Sequence, residues 1–162
     1  MWTIKRILVP LDGSALSERA LPVATSLAAK YDAEVILLRV LDVPIPSRVV
    51  AHPESLWIQE ALQDSHREAE HYLSNRRLDL RSEGIRVREV VFDTSPAEDI
   101  LFVALNEEID LIIMSSHGSG GATRWPAGSV AAKVMQHSPC PVLLIRHDEG
   151  YVREESNNGA QN

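Results

Sequence analysis

The chain has little of what would assign it to a specialised class of protein. Its 162 residues contain one cysteine, Cys140, which excludes an internal disulfide and suits a reducing compartment. Apolar runs stay short of the roughly 18 residues that a membrane-spanning helix needs, so we expect no membrane partner. The formal net charge is −7 and no basic run occurs. Nucleic acid is therefore not expected as a partner, because binding to its backbone requires clustered Lys and Arg.

The composition that remains is that of an ordinary globular domain. Hydrophobic residues make up 44% of the chain and charged residues 24%. The length predicts one domain, over residues 1–147, and the polar segment 148–162 is predicted to be disordered. The first residues enter a strand pattern without the form of a signal peptide, so we expect a cytoplasmic protein. Cys140 lies between two prolines and is interpreted as a packed structural thiol.

Apolar strand patterns alternate with helical patterns along the chain. Strands are predicted over 4–9, 34–41, 85–92, 109–114 and 141–146, and helices over 15–31, 54–83, 96–106 and 129–137. Ser95 to Glu98 has the form of a capping box, with Pro96 at the first helical position. Charged residues in the third strand indicate a sheet edge. The alternation predicts an α/β fold, a single-domain open parallel five-stranded sheet with helices on both faces.

The segment after the fourth strand carries the strongest functional signal. It is a glycine-rich loop that ends in Gly128-Ser129, where a helical pattern begins. A strand, a glycine-rich turn and a helix N-terminus together offer unpaired N–H groups and partial positive charge to an anion such as phosphate. Neither the P-loop pattern nor the dinucleotide fingerprint is present. The glycines alone could equally serve the turns of a surface loop.

The expected topology brings a second signal to the same place. In open parallel sheets, ligands bind at the carboxyl ends of the strands, where the strand order reverses. If the first and fourth strands flank that point, Asp12 and the loop 118–129 face one crevice. Asp12 could instead cap the turn before the first helix. His117, Arg124 and Trp125 lie in or beside the loop, and the sequence leaves their roles open.

Three segments together resemble the universal stress protein family. They are residues 7–14 (ILVPLDGS), the run Ser116-His117-Gly118 followed by nine residues and Gly128-Ser129, and residues 139–145 (PCPVLLI). The resemblance covers about residues 2–147 and implies a Rossmann-like fold, like that of the adenine nucleotide alpha hydrolases. In the ATP-binding branch the loop reads G-x-x-G, nine residues, then G-[ST]. The first glycine position is Ser115 here, which departs from the pattern near the ribose.

The resemblance implies a set of nucleotide-binding residues. Asp12 would accept a hydrogen bond from the adenine edge, Val40 would contact adenine through its backbone, and Pro10 would lie near the ribose. The phosphates would be held at the helix start and in the glycine loop. The full set of implied cofactor-binding residues is Pro10, Asp12, Val40, Met114, Ser115, Gly118, Gly128, Ser129 and Val130.

The function expected on this basis is that of a cytosolic ATP-binding stress protein that regulates or senses. Its cofactor would be ATP, or ADP or AMP, with Mg²⁺ as the companion of ATP. The resemblance also implies a homodimer through the apolar strand Val142–Ile145. Two alternatives stay open: an ATPase or nucleotide-dependent transferase of related architecture, and a ligand-free interaction module, which the departure at Ser115 would favour. No catalytic residue and no metal site is assigned.

Overall fold

A computed structural model describes residues 3–41, 56–117 and 128–146, without the side chains of residues 56–58. The predicted tail, 148–162, lies outside these ranges. The strands are β1 (Arg6–Leu11), β2 (Glu34–Val40), β3 (Arg86–Phe92), β4 (Leu111–Ser115) and β5 (Val142–Ile145). The helices are α1 (Ala20–Tyr31), α2 (Leu56–Ser82), α3 (Pro96–Asn106) and α4 (Ser129–His137), and a short 3₁₀ helix, Ser17–Arg19, precedes α1.

All strand pairs are parallel and form one sheet with the order β3-β2-β1-β4-β5. From β1 the chain proceeds outward to β2 and β3, and it then returns to the other side of β1 for β4 and β5. The strand order therefore reverses between β1 and β4, which meets the condition under which Asp12 and the loop 118–129 would face one crevice. β3 lies at one edge, which confirms the interpretation of its charged residues, and β5 lies at the other.

Helices cover both faces of the sheet, because alternate strand residues point to opposite sides. Ile7 and Val9 belong to a buried cluster that includes residues of α1 and α2. Leu8 belongs to a second cluster, with residues of α3 and α4. This arrangement confirms the predicted α/β fold. None of the helices within the described ranges combines the length and apolarity needed to cross a membrane.

The first helix begins later than predicted. Helix was expected from Ala15, whereas the chain first forms turns and the 3₁₀ helix, and α1 begins at Ala20. Side chains of the turn compete with regular helical hydrogen bonds: the Ser17 hydroxyl donates to the Ser14 carbonyl at 2.8 Å, and the Ser17 N–H donates to the Ser14 hydroxyl at 3.1 Å. The periodicity of apolar residues carries no information about these local hydrogen bonds.

The predicted capping box at the start of α3 is also wrong in its partners. The Ser95 side chain makes no capping hydrogen bond among the described residues. The carboxylate of the buried Asp99 reaches back instead and accepts from the Ser95 N–H at 3.1 Å and the Thr94 hydroxyl at 2.5 Å. The start of α3 is thus fixed by an acidic side chain one position beyond the expected Glu98.

Candidate functional site

The hydrogen-bonded ladder between β1 and β4 stops before the carboxyl ends of these strands. The place beyond the ladder, where a ligand crevice is expected in open parallel sheets, is called the crevice. That ladder registers Ile7 with Leu111 and Leu8 with Ile112, and no further pair is registered in these strands, although β1 continues to Leu11. On its other side β1 is registered with β2 along its whole length. The carboxyl halves of β1 and β4 are therefore neighbours without a ladder. This is the point at which the strand order reverses.

Pro10 explains why the ladder stops. Along β1, backbone groups face the two neighbouring strands alternately. The Lys5 carbonyl accepts from Glu34 at the start of β2, at 2.8 Å, and the next carbonyl, of Arg6, accepts from Asp110 beside β4, at 3.1 Å. By this alternation, position 10 faces β4, and proline has no N–H to donate. The sequence predicted Pro10 in a turn, but Pro10 belongs to β1. Because it has no N–H, it cannot donate a ladder hydrogen bond to β4.

Asp12 begins the turn that follows β1. Its Oδ1 accepts from the Ser14 N–H at 2.9 Å and from the Ser14 hydroxyl at 2.6 Å, while its own N–H donates to Ser17 Oγ at 3.3 Å. Gly13 has a φ of +84°, a left-handed conformation that disfavours any side chain. Asp12 therefore caps the turn through its side chain, as the alternative interpretation of this residue expected. The resulting turn holds a half-buried carboxylate at the carboxyl end of β1.

The start of α4 is tied to the end of β4. The Gly128 N–H donates to the Ser116 carbonyl at 2.7 Å, and the Gly128 carbonyl accepts the first helical bond from Ala132 at 2.9 Å. Gly128 has φ −65° and ψ 167°, which any residue can adopt. A methyl group there would lie 3.4 Å from the Ser116 carbonyl oxygen. Backbone conformation therefore does not require this glycine, and its lack of a side chain leaves space at the helix N-terminus.

The apolar members of the predicted set share one side of the sheet. Val40 ends β2 and Met114 lies in β4, with Val130 in the first turn of α4. Met114 is buried in the cluster under α3 and α4, and Val40 and Val130 pack against that cluster. Ser129, next to Val130, is exposed. These residues come from three separate elements that meet at the carboxyl end of the sheet.

Ser115 is buried at the end of β4, with 7% of its surface exposed. Its Oγ has no hydrogen-bond partner within the described part of the chain. Its neighbour Ser116 is buried as well, and Ser116 Oγ lies 3.1 Å from Nδ1 of His117. An unsatisfied buried hydroxyl is costly, by about 1–3 kcal/mol. The departure from the glycine pattern thus places a buried hydroxyl, without a partner among the described residues, next to the crevice.

All of the predicted set except Gly118 falls within the described ranges, at the ends of β1, β2 and β4 or the start of α4. Gly118, Arg124 and Trp125 lie outside these ranges. Sequence reasoning gave no role to Arg39, whose guanidinium lies against Gly13 in the Asp12 turn. The available signal was an arginine inside an otherwise apolar strand, Val35 to Val40.

Cys140 is a half-buried thiol that precedes β5. Burial raises its pKa above the usual thiol value, and the Ser138 hydroxyl opposes that rise. A raised pKa leaves less reactive thiolate at neutral pH, which supports the interpretation of Cys140 as a structural residue. Among the described residues there is also no group of three or more His, Cys, Asp or Glu side chains that could hold a metal ion.

Residues 3–146 match the model of the universal stress protein family. The chain belongs to this family. The universal stress protein MJ0531 of Methanocaldococcus jannaschii is 34% identical over 145 residues, which are 88% of this chain and 82% of that protein. The universal stress protein YxiE of Bacillus subtilis is 32% identical over 146 residues, covering 87% of this chain and 98% of YxiE.

Several solved structures share this fold. The structure of the hypothetical protein MJ0577 superposes with a TM-score of 0.79 and 30% identity, over 91% of this universal stress protein and 99% of MJ0577. A universal stress protein in complex with cAMP has a TM-score of 0.65 at 21% identity, over 90% of this chain and 99% of that one. A family member from Arabidopsis thaliana with AMP bound has a TM-score of 0.65 at 19% identity, over 90% of this chain and 93% of that one.

Proposed function

We propose that this universal stress protein binds an adenine nucleotide, ATP or else ADP or AMP, in the crevice between β1 and β4. In this proposal it acts in the cytoplasm as a regulatory or sensing module of the stress response. The observation that carries the proposal is the crevice itself, which Pro10 leaves without a ladder bond, with the Asp12 turn on β1 and the start of α4 beyond β4. The AMP- and cAMP-bound relatives support adenine as the base.

The phosphates would lie at the N-terminus of α4. The first N–H groups of a helix lack intrahelical acceptors, and the aligned peptide dipoles add partial positive charge there. Gly128 presents this end without a side chain, and Ser129 adds an exposed hydroxyl beside it. Gly118 would contribute from the loop. Ser115, whose Oγ has no partner in the part of the chain that the structure describes, would lie close to the ribose.

The base would lie nearer to β1 and β2. Asp12 is the acceptor at this end of the crevice, and we assign it to the adenine amino group, with the backbone of Val40 as a further contact. The packed side chains of Val40 and Met114 offer the apolar surroundings that a purine ring favours. Mg²⁺ would enter with the triphosphate and be held largely by its oxygens. We expect at most slow hydrolysis, well below about 1 s⁻¹.

Titration calorimetry with Mg-ATP tests the proposal directly. We expect Asp12→Ala to weaken ATP binding about ten- to hundredfold, because a hydrogen bond to a charged group contributes roughly 1.5–3 kcal/mol. Asp64→Ala, which removes an exposed carboxylate of α2, is the matched control and should bind as the wild type does. A wild type that binds none of ATP, ADP and AMP would refute the proposal and favour a ligand-free interaction module.

We also propose that two copies pair through β5. This strand lies at a sheet edge, and Leu143 in its centre exposes 38% of its surface. An uncovered edge of N–H and C=O groups is a template for pairing with another strand. Light scattering at micromolar concentration should give a dimer mass, which Leu143→Lys should shift towards the monomer. A monomeric wild type would contradict the pairing and leave the nucleotide site untouched.

A further inference from the structure

Arg39 occupies an unusual position behind the Asp12 turn. It lies near the end of β2, in register with Leu11, the residue before Asp12. A methyl group on Gly13 would lie 2.9 Å from Arg39 Nη1 and 3.4 Å from Cζ. The flat guanidinium therefore packs directly against the left-handed glycine of the turn. A side chain at position 13 would require the guanidinium to shift, and the left-handed backbone would disfavour it as well.

Hydrogen bonds within the described ranges do not explain an arginine at this place. Nε and Nη1 of Arg39 are both buried and have no hydrogen-bond acceptor among the described residues. Buried donors without acceptors lower stability, so an unbranched apolar side chain of similar length would be the more stable choice. The cationic group is nevertheless held in place, since its Cζ lies 5.8 Å from the centroid of the Tyr72 ring.

Tyr72 in turn is anchored to the 3₁₀ helix that follows the turn. Its hydroxyl donates to Glu18 Oε1 at 2.8 Å, and Glu18 Oε2 lies 3.5 Å from Nη1 of Arg76. The ring, the carboxylate and the two guanidinium groups thus form one partly buried cluster between α2 and the turn. Arg39 is the member of this cluster whose guanidinium lies against Gly13.

We propose that Arg39 is a positioning residue for base recognition: it presses on Gly13 and holds the turn in the conformation that aims the Asp12 carboxylate into the crevice. Arg39 itself does not touch the ligand. Its contribution depends on the shape and charge of the guanidinium, which fills the space under Gly13 as a flat group. The inference rests on the proposed nucleotide function, because the orientation of the Asp12 carboxylate affects binding only if Asp12 hydrogen-bonds to the base.

The test compares ATP with GTP, which share their phosphates and differ in the base. Arg39→Met keeps the length of the side chain and removes the flat cation. We expect it to lose about tenfold in ATP affinity with GTP affinity unchanged, so that the ATP:GTP preference falls. Its melting temperature should not fall below that of the wild type. Tyr72→Phe keeps the ring under the guanidinium and should keep the preference.

A second readout needs no nucleotide. The chain has eight glycines, so ¹⁵N-glycine labelling gives a simple amide spectrum. Arg39→Met should move the Gly13 resonance of the free protein, whereas Tyr72→Phe should leave it in place. An unmoved Gly13 resonance with an intact ATP:GTP preference would overturn the positioning role. So would equal losses of ATP and GTP binding with a lower melting temperature, which would mark a structural role.

The two proposals fail in different ways. Asp12→Ala serves as the calibrating variant, because it removes the group that reads the base. If the wild type prefers ATP and Asp12→Ala loses that preference while Arg39→Met keeps it, only the role of Arg39 is refuted. If the wild type binds no nucleotide, the proposed function is refuted and the positioning role with it.

Discussion

The two ends of the sheet differ in how completely their polar groups are matched. At the amino end, Oδ2 of Asp110 accepts from the backbone N–H groups of Lys5 and Arg6 at 2.7 and 3.0 Å. The Arg6 guanidinium donates to the Glu107 carbonyl at 2.8 Å. At the carboxyl end, Pro10 offers no donor and Ser115 Oγ has no partner in the described ranges. Within the described ranges, hydrogen bonds tie the strands together at the amino end, whereas the carboxyl end contains a buried hydroxyl without a partner.

This difference separates stability from function within one sheet. Hydrogen bonds at the amino end tie β1 to the segment before β4 where no ligand is proposed. Among the described residues, the Ser115 hydroxyl at the carboxyl end lacks a partner, and it lies beside the proposed nucleotide site. We therefore expect substitutions at the two ends to have opposite kinds of effect: loss of stability at one, loss of binding at the other.

The largest effect on stability is expected at the amino end, from Asp110→Ala. Two backbone N–H groups lose their acceptor, which should lower the free energy of unfolding by about 1–3 kcal/mol. Chemical denaturation measures this change, and ATP affinity should stay within about twofold of the wild-type value. Asp110→Asn is the matched control, since one amide oxygen can still accept both bonds. Equal destabilisation by Asp110→Asn and Asp110→Ala would mean that the negative charge of Asp110, and not its hydrogen-bond acceptor, stabilises the amino end of the sheet.

A smaller effect of opposite sign is expected at the carboxyl end, from Ser115→Ala. Removal of a buried hydroxyl without a partner should raise the free energy of unfolding by about 1 kcal/mol. Ser116→Ala, the adjacent control, removes a hydroxyl that does contact His117 and should not stabilise. Denaturation curves of both variants without nucleotide decide the matter. Destabilisation by Ser115→Ala would show that this hydroxyl is satisfied in the free protein.

The smallest effect concerns Cys140, which precedes β5. Because burial raises its pKa, less thiolate is present at a given pH than in the unfolded chain, so alkylation by iodoacetamide should be slower in the native state. The native rate should rise with pH, and its midpoint should lie above that of the unfolded protein. The raised pKa also means that stability falls as pH rises through the range in which the unfolded thiol ionises. Equal native and unfolded rates at all pH values would contradict this.

The sequence predicted the order of the elements along the chain and the helices on both faces of the sheet. These features depend on the periodicity of apolar residues, which is a strong and local signal. The position of the candidate site at the carboxyl ends of the strands was expected from the parallel sheet, whereas most of its residues were implied by the family resemblance. Whether those residues hold a nucleotide stays a prediction.

What the sequence did not predict depends on contacts between particular atoms. Proline usually marks a turn, yet Pro10 continues β1 because its missing N–H faces the side without a ladder. The delayed start of α1 follows from hydroxyl bonds of Ser14 and Ser17, and the cap of α3 comes from Asp99. Arg39 could be given a role only after the left-handed Gly13 was seen against its guanidinium. Such pairings leave no periodic trace in the sequence.

The nucleotide content of freshly purified protein tests the central claim most directly. The wild type and Gly128→Val are denatured in parallel, and the supernatants are separated by HPLC. The backbone at position 128 is compatible with valine, so the variant should fold, while its side chain would fill the space at the start of α4. We predict adenine nucleotide from the wild type and none from the variant. A wild type that releases none and binds no ATP in titration would contradict the account.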